Sequence, residues 1–219
     1  MVQAAVKATL IPDKLTPCSA LQVAKAFRGA METLEGATPR TIRLAVLVAQ
    51  SALETGRWRS VHCWNFGNVK AGPDYEWLYT QFRCNEVING KAVWFDPPHP
   101  QCNFRAFTSI DSGALDHIRF LSSSKRYASA WEAARKGDPA EFVHALKASG
   151  YFTADEGPYL KAVVALFNEY SRLLFDEPED EDTKVSDDGP LRAAALQAAA
   201  LTDPLEWSAD ERREAMKEP

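Results

Sequence analysis

The stretch TPRTIRLAVLVAQSALETG, residues 38–56, decides the fold. Ile42, Ala45, Val46, Ala49 and Leu53 repeat at threes and fours, and Leu44, Leu47 and Val48 widen the stripe. A helix apolar nearly all round has no face to give to water and belongs inside a core. Thr38 and Pro39 read as its N-cap and first-turn residue, and Gly56 as its left-handed terminator. Glu54 is thereby placed in the last turn of a buried helix.

Working outward, Ser19 and Gln22 stand at capping-box spacing before Leu21, Val23, Ala24, Phe27, Met31 and Leu34, which predicts a helix over 19–34. From about Trp77 to Phe107 the period shortens and aromatic and β-branched residues cluster. Ile88-Asn89-Gly90-Lys91 is a type I′ hairpin signal, so a two- or three-stranded antiparallel lobe is expected. Asp96-Pro97-Pro98-His99-Pro100 must be a loop within it. Asp111 is placed to cap a helix carrying Ala114, Leu115, Ile118 and Leu121. Tyr127, Trp131 and Ala134 mark another, ending at Gly137. Asp138, Pro139 and Glu141 open the next, which Gly150 ends, and a long helix covers roughly 158–174. Helices, a short β lobe and more helices make an α+β architecture.

At 219 residues, 46% apolar and 25% charged, the chain has enough for one buried core plus appendages, or at most two small domains. No stretch approaches the ~20 uninterrupted apolar residues of a bilayer span, and the first residues lack the pattern of an export signal. Residues 1–175 hold twenty basic against sixteen acidic side chains, whereas the remainder holds five against fourteen. A mildly basic body suits an anionic partner. The division expected is an N-terminal extension over 1–18, a main domain over 19–175, an acidic linker over 176–190 and a helical tail over 191–219. The linker has eight acidic residues and almost nothing apolar. The alanine-rich tail reads either as a docking helix or as a frayed end.

Cys18, Cys63, Cys84 and Cys102 show no CxxC spacing, so neither a zinc ribbon nor a thioredoxin motif is supported and no metal is expected. They read either as free thiols or as including one disulfide among Cys63, Cys84 and Cys102, which would imply an oxidising space.

Glu54 stands out chemically. The negative end of its helix and the neighbouring aromatics Trp58, Trp64 and Phe66 should both disfavour a carboxylate and raise its pKa. A carboxylic acid that stays protonated near neutral pH can act as a general acid, for instance toward a departing glycosidic oxygen.

The series AQSALETG, WNFGNVKAG, CNEVINGK, NFRAFTSIDSGALDHIRFL, RYASAW and SGYFTADEGPYLKAV, running in order from about Ile42 to Tyr170, resembles the muralytic glucosaminidases of glycoside hydrolase family 73. LETG stands where that family has L-E-S-G, Asn65 to Lys70 resembles its N-x-F-G-I-K, and Phe104 to Phe107 its F-R-x-Y. The resemblance implies a lysozyme-like fold, mostly helical, with a groove beside the β-hairpin lobe and peptidoglycan glycan strands as substrate. It assigns Glu54 as general acid and Glu86 as the second carboxylate, which activates water or supports the developing cation; an exposed hairpin glutamate is the plainer alternative for Glu86. Two carboxyl groups flanking the scissile bond suit hydrolysis of either stereochemistry.

Sugar rings offer apolar faces and hydroxyl edges, so aromatic and amide side chains are the candidate binders: Trp64, Asn65, Phe66, Lys70, Tyr151 and Tyr159. Phe66 serves equally well as a core plug. Tyr127 and Trp131 read as packing residues, and His117 and His144 as surface or satisfied helix residues. Residues 152–158 lengthen the family's A-T-D-P turn, and the proline-rich loop 95–102 is longer than usual. A Cys84–Cys102 disulfide would fix that loop as a flap.

No cofactor is expected, no phosphate-binding glycine loop is present, and nothing basic or repetitive points to nucleic acid. Lacking an export signal, the protein is expected to reach the wall through lysis, a pore or an injected assembly. An endolysin of phage or prophage origin fits that setting. The alternatives are a lysozyme-type muramidase or lytic transglycosylase, or a non-catalytic wall-binding part of a phage or injection assembly to which the tail docks.

Overall fold

The computed structural model describes residues 8–72, 75, 77–88, 91–152 and 154–176. The expected acidic linker beyond Asp176, the helical tail, the Asn89-Gly90 turn and Thr153 lie outside the described residues.

The helix read from residues 38–56 forms as α2, Thr41–Glu54, with every residue from Ile42 to Leu53 buried. It starts two residues later than predicted. Arg40 occupies the N-cap without a side-chain cap bond, because a guanidinium has no acceptor to offer the free N–H groups. The Arg40 guanidinium instead donates to the Arg135 carbonyl at 2.9 Å, tying the helix entrance to the end of α4, Ala128–Lys136. Polar side chains inside α2 find partners for most of their groups, as buried polar side chains usually do. Arg43 pairs with Glu35 and lies 4.5 Å from the Trp131 ring centroid. Ser51 donates to the Phe66 carbonyl and accepts from the Trp58 indole N–H.

Around α2 pack α1, Ala20–Glu35, and α6, Glu156–Asp176, with α3, Ile110–Ser123, and α5, Pro139–Ala148, completing the bundle. The Ser19/Gln22 capping box forms with both reciprocal hydrogen bonds. Asp138 caps α5 through the Ala140 and Glu141 N–H groups. The cap of α3 is Ser109 rather than Asp111, since Ser109 and Ser112 make the reciprocal box and leave Asp111 in the first turn. The last helix begins at Glu156, admitting Pro158 within its first turn. At Gly137, φ is +75° and a Cβ would lie 2.7 Å from Ile42, so only glycine both turns the chain and lets α4 end against α2.

The β region is two small sheets rather than one antiparallel lobe. Strand β2, Leu78–Gln81, lies between β5, Asn103–Arg105, which is antiparallel to it, and β1, Thr9–Leu10, which is parallel. The second sheet is a separate hairpin of β3, Cys84–Ile88, and β4, Lys91–Phe95, with Ile88 opposite Lys91. A two-residue connection is what Asn-Gly spacing specifies. The strand at residues 9–10 is too short to carry a period, and it lies within the expected N-terminal extension. The segment after it is also knitted in: Thr16 N–H donates to the Val61 carbonyl, and Cys63 N–H to that of Lys14.

Candidate active site

Glu54 is the last residue of α2 and keeps some surface exposed, while its carboxyl is enclosed enough that burial dominates its chemistry. Burial drives the pKa from 4.5 to about 7, against hydrogen bonds from Tyr159 and Gln50 that pull it down. Tyr159 donates to Glu54 Oε1 at 2.8 Å, and the Gln50 amide donates to the same oxygen at 3.3 Å and to the Tyr151 hydroxyl at 2.9 Å. Both phenols are themselves held well above 10, chiefly by burial and then by the Glu54 charge, so they stay protonated. A carboxyl with a pKa in that range takes up or gives up a proton near neutral pH at little free-energy cost, which is the property a general acid needs.

These neighbours differ from those expected. Trp58 is 2% exposed, bonded to Ser51 and packed on Tyr170. Phe66 is 1% exposed and meets Phe27 edge-on, 5.4 Å between centroids. Phe66 is therefore the core plug and not an open sugar platform. The reason is the chain's path: α2 runs out into a left-handed turn at Gly56, Arg57 and Trp58, which folds the next aromatic back inward.

Among the described residues, five non-glycine residues have left-handed backbone: Arg57, Trp58, Cys63, Trp64 and Asn68. All lie in the loop that leaves Glu54. Each such conformation costs ~1 kcal/mol or more, and persists only where surrounding contacts hold it. Here Arg57 is forked to Glu169, and Thr55 Oγ1 accepts from the Trp58 N–H. Trp64 N–H donates to Thr16, and Asn68 donates to the Glu54 carbonyl at 2.9 Å. Asn65, 3% exposed, donates to the Val69 and Arg105 carbonyls and accepts from the Val69 N–H, so its amide staples the loop instead of facing a cleft. A Cβ at Gly113 would meet the Trp64 carbonyl at 2.1 Å, so α3 can close on this loop only through a glycine.

The same loop reaches Glu86. Two residues after Asn68, Lys70 forms a bridge with Phe104 and pairs with Glu86 Oε1 at 2.8 Å. Its ammonium also contacts the Gln101 carbonyl and Cys84 Sγ, and sits 4.3 Å from the Phe104 ring centroid. Cys84 and Glu86 are two apart on β3 and so share a face, which is how one lysine touches both. Behind Lys70 runs a column of stacked rings, Phe104, Phe82 and His62, at 4.1 and 4.0 Å, ending in a His62–Asp13 hydrogen bond. Residues 65–70 thus couple the end of α2 to the base of the hairpin.

The structure therefore gathers Glu54, Tyr151 and Tyr159 into one cluster and Glu86 with Lys70 into another, joined by the Asn65–Lys70 loop. Trp64 is half-buried beside the core. Gln50 went unassigned in the sequence, although it stands one turn before Glu54 on the same face of an apolar helix. Asn68 was also missed, its positive φ being invisible in the sequence. The four cysteines are free thiols, Cys84 lying against Cys102. His117 corrects another expectation: it is 2% exposed, stacked on Phe27, with neither ring nitrogen hydrogen-bonded. His144 pairs with Glu156 at the surface. No group of three or more His, Cys, Asp or Glu side chains converges as a metal site among the described residues.

Comparison with known proteins gives a consistent answer. The peptidoglycan hydrolase FlgJ of Vibrio cholerae is 28% identical over 136 residues, 58% of this chain, and the match spans 39% of that relative's length. A crystal structure of a peptidoglycan hydrolase mutant from Sphingomonas sp. A1 superposes with a TM-score of 0.53 at 26% identity, covering 73% of this chain and 96% of the other. A second Sphingomonas sp. A1 peptidoglycan hydrolase structure shares the fold at 23% identity and a TM-score of 0.50, covering 86% of this chain and all of the other. The glucosaminidase family model, described as mannosyl-glycoprotein endo-beta-N-acetylglucosaminidase, matches residues 34–172, which hold Glu54, Glu86, the loop between them and both tyrosines. The chain belongs to the glucosaminidase family of glycoside hydrolases.

Proposed function

We propose that this domain cleaves the glycan strand of bacterial peptidoglycan as an endo-β-N-acetylglucosaminidase, with Glu54 as general acid and Glu86 as second carboxylate. The observation that carries the reading is a family-positioned carboxyl at a helix end, poised by burial at a pKa of about 7 and held by two donors on one oxygen. In the protonated form Glu54 gives its proton to the glycosidic oxygen as the C1–O bond breaks. The resulting carboxylate is then stabilised by the Tyr159 hydroxyl and the Gln50 amide already in place, so little reorganisation is needed. Glu86, fixed by Lys70, faces the positive charge developing on the sugar or orients the water that attacks it. Water supplies hydroxide to C1 and a proton to restore Glu54, which closes the cycle.

The similarity to wall hydrolases points to peptidoglycan, and the mildly basic body suits that anionic polymer. Mass spectrometry of the fragments released from purified sacculi tests the assignment. Reducing N-acetylglucosamine ends are expected. Reducing N-acetylmuramic acid ends would make it a muramidase, anhydro sugars a lytic transglycosylase, and binding without fragments a non-catalytic wall-binding component.

A further inference from the structure

Resting on the assignment of Glu54 as the acid, we infer that Gln50 is a positioning residue that decides which oxygen of Glu54 carries the proton. Gln50 has no exposed surface and sits one helical turn before Glu54 on a rigid core helix. The two hydrogens of its amide are divided between Glu54 Oε1, at 3.3 Å, and the Tyr151 hydroxyl, at 2.9 Å. Tyr159 donates to the same Oε1 at 2.8 Å. An oxygen receiving two donors acts as the carbonyl oxygen of a carboxylic acid, because an O–H there would point its hydrogen at theirs. The proton therefore rides on Oε2, which becomes the atom that meets the glycosidic oxygen.

The amide orientation follows from its neighbours. Turned over, Gln50 would present its carbonyl to Glu54 Oε1, leaving both N–H donors buried without partners and the carboxylate short of a donor after transfer. As placed, only the amide oxygen is unpartnered. The Tyr151 hydroxyl anchors the same amide nitrogen through its second hydrogen, which gives that half-buried tyrosine a task one step removed from the acid. A donor that stabilises the charged form also keeps Glu54 from being held too tightly protonated.

The test is the pH dependence of sacculus cleavage by Gln50→Met, which keeps the side-chain volume and removes the donor. Expected is a shift of the alkaline limb of kcat/KM to higher pH by about one unit, from loss of a hydrogen bond to a charged group. A fall in kcat of roughly tenfold at the optimum should accompany it, with KM little changed. Gln50→Glu, which replaces the donor by a second carboxyl of the same shape, should move the limb further the same way. A purely structural role would lower the thermal midpoint and leave the limb in place. Alkaline limbs coinciding with the wild type in both folded variants would overturn the inference. Activity retained by Glu54→Gln would instead overturn the reading beneath it, so the two failures are distinct.

Discussion

Glu54→Gln should make the protein more stable, by an amount set by pH. The folded-state pKa of Glu54 is about 7 against 4.5 for a free glutamate. Its protonated form is thus the one the native structure prefers. That preference is fully felt below pH 4.5 and is lost as the pH rises through 7, because the folded protein must then hold a charge it has partly desolvated. The displacement corresponds to about 3 kcal/mol. A glutamine has the shape of the protonated acid, accepts the same bonds from Tyr159 and Gln50 through its carbonyl, and never ionises. The variant should match the wild type near pH 4.5 and exceed it by ~3 kcal/mol at pH 8, or ~6–12 °C in thermal midpoint for a domain of this size. Urea denaturation of both proteins at pH 4.5, 6, 7 and 8 measures the gap. A gap that stays constant across this range would refute the claim that burial holds the proton on Glu54.

Three further expectations follow from the surroundings of the site. His117 is held near 4 by burial against an ordinary 6.5, so stability is present above 6.5 and lost as the pH falls toward 4, again by about 3 kcal/mol. It opposes Glu54 over nearly the same window, so the wild type should vary little with pH from this pair, whereas His117→Phe should become steadily more stable on acidification when followed by urea denaturation. Lys70→Met releases Glu86 while removing a half-exposed ion pair worth ~0.5 kcal/mol to folding; sacculus clearing should fall about tenfold with a nearly unchanged thermal midpoint. Treatment of the folded protein with oxidised glutathione should join Cys84 to Cys102 and no other pair, since these two thiols lie together; peptide mapping that finds Cys18 or Cys63 crosslinked instead would contradict the arrangement.

Much of the fold could be read from local chemistry. The apolar run of α2, the Ser19/Gln22 box, the Asp138-Pro139 start and the Asn-Gly hairpin are all set by neighbours within four residues. The misses have a different origin. Ser109 displaced Asp111 as the α3 cap because two serines can bond reciprocally, a choice between adjacent candidates that spacing leaves open. The parallel pairing of Thr9–Leu10 joins segments nearly seventy residues apart, and nothing in either announces the other. At the site, Glu54 was legible as an acid inside an apolar pattern. Its hydrogen bonds were not: the resemblance offered Tyr151 and Tyr159 as sugar binders, whereas Tyr159, 105 residues on, donates to Glu54 itself and Tyr151 holds the Gln50 amide beside it. The left-handed loop turned Trp58 and Phe66 into the core and made Asn65 a staple, roles that depend on backbone torsions rather than residue type.

The most direct test is release of reducing ends from purified sacculi by Glu54→Gln beside the wild type, with circular dichroism confirming that both are folded. Steady release by the wild type and none above background from the variant is the expected result. Equal release from both would contradict the central claim that the proton held at Glu54 breaks the glycosidic bond.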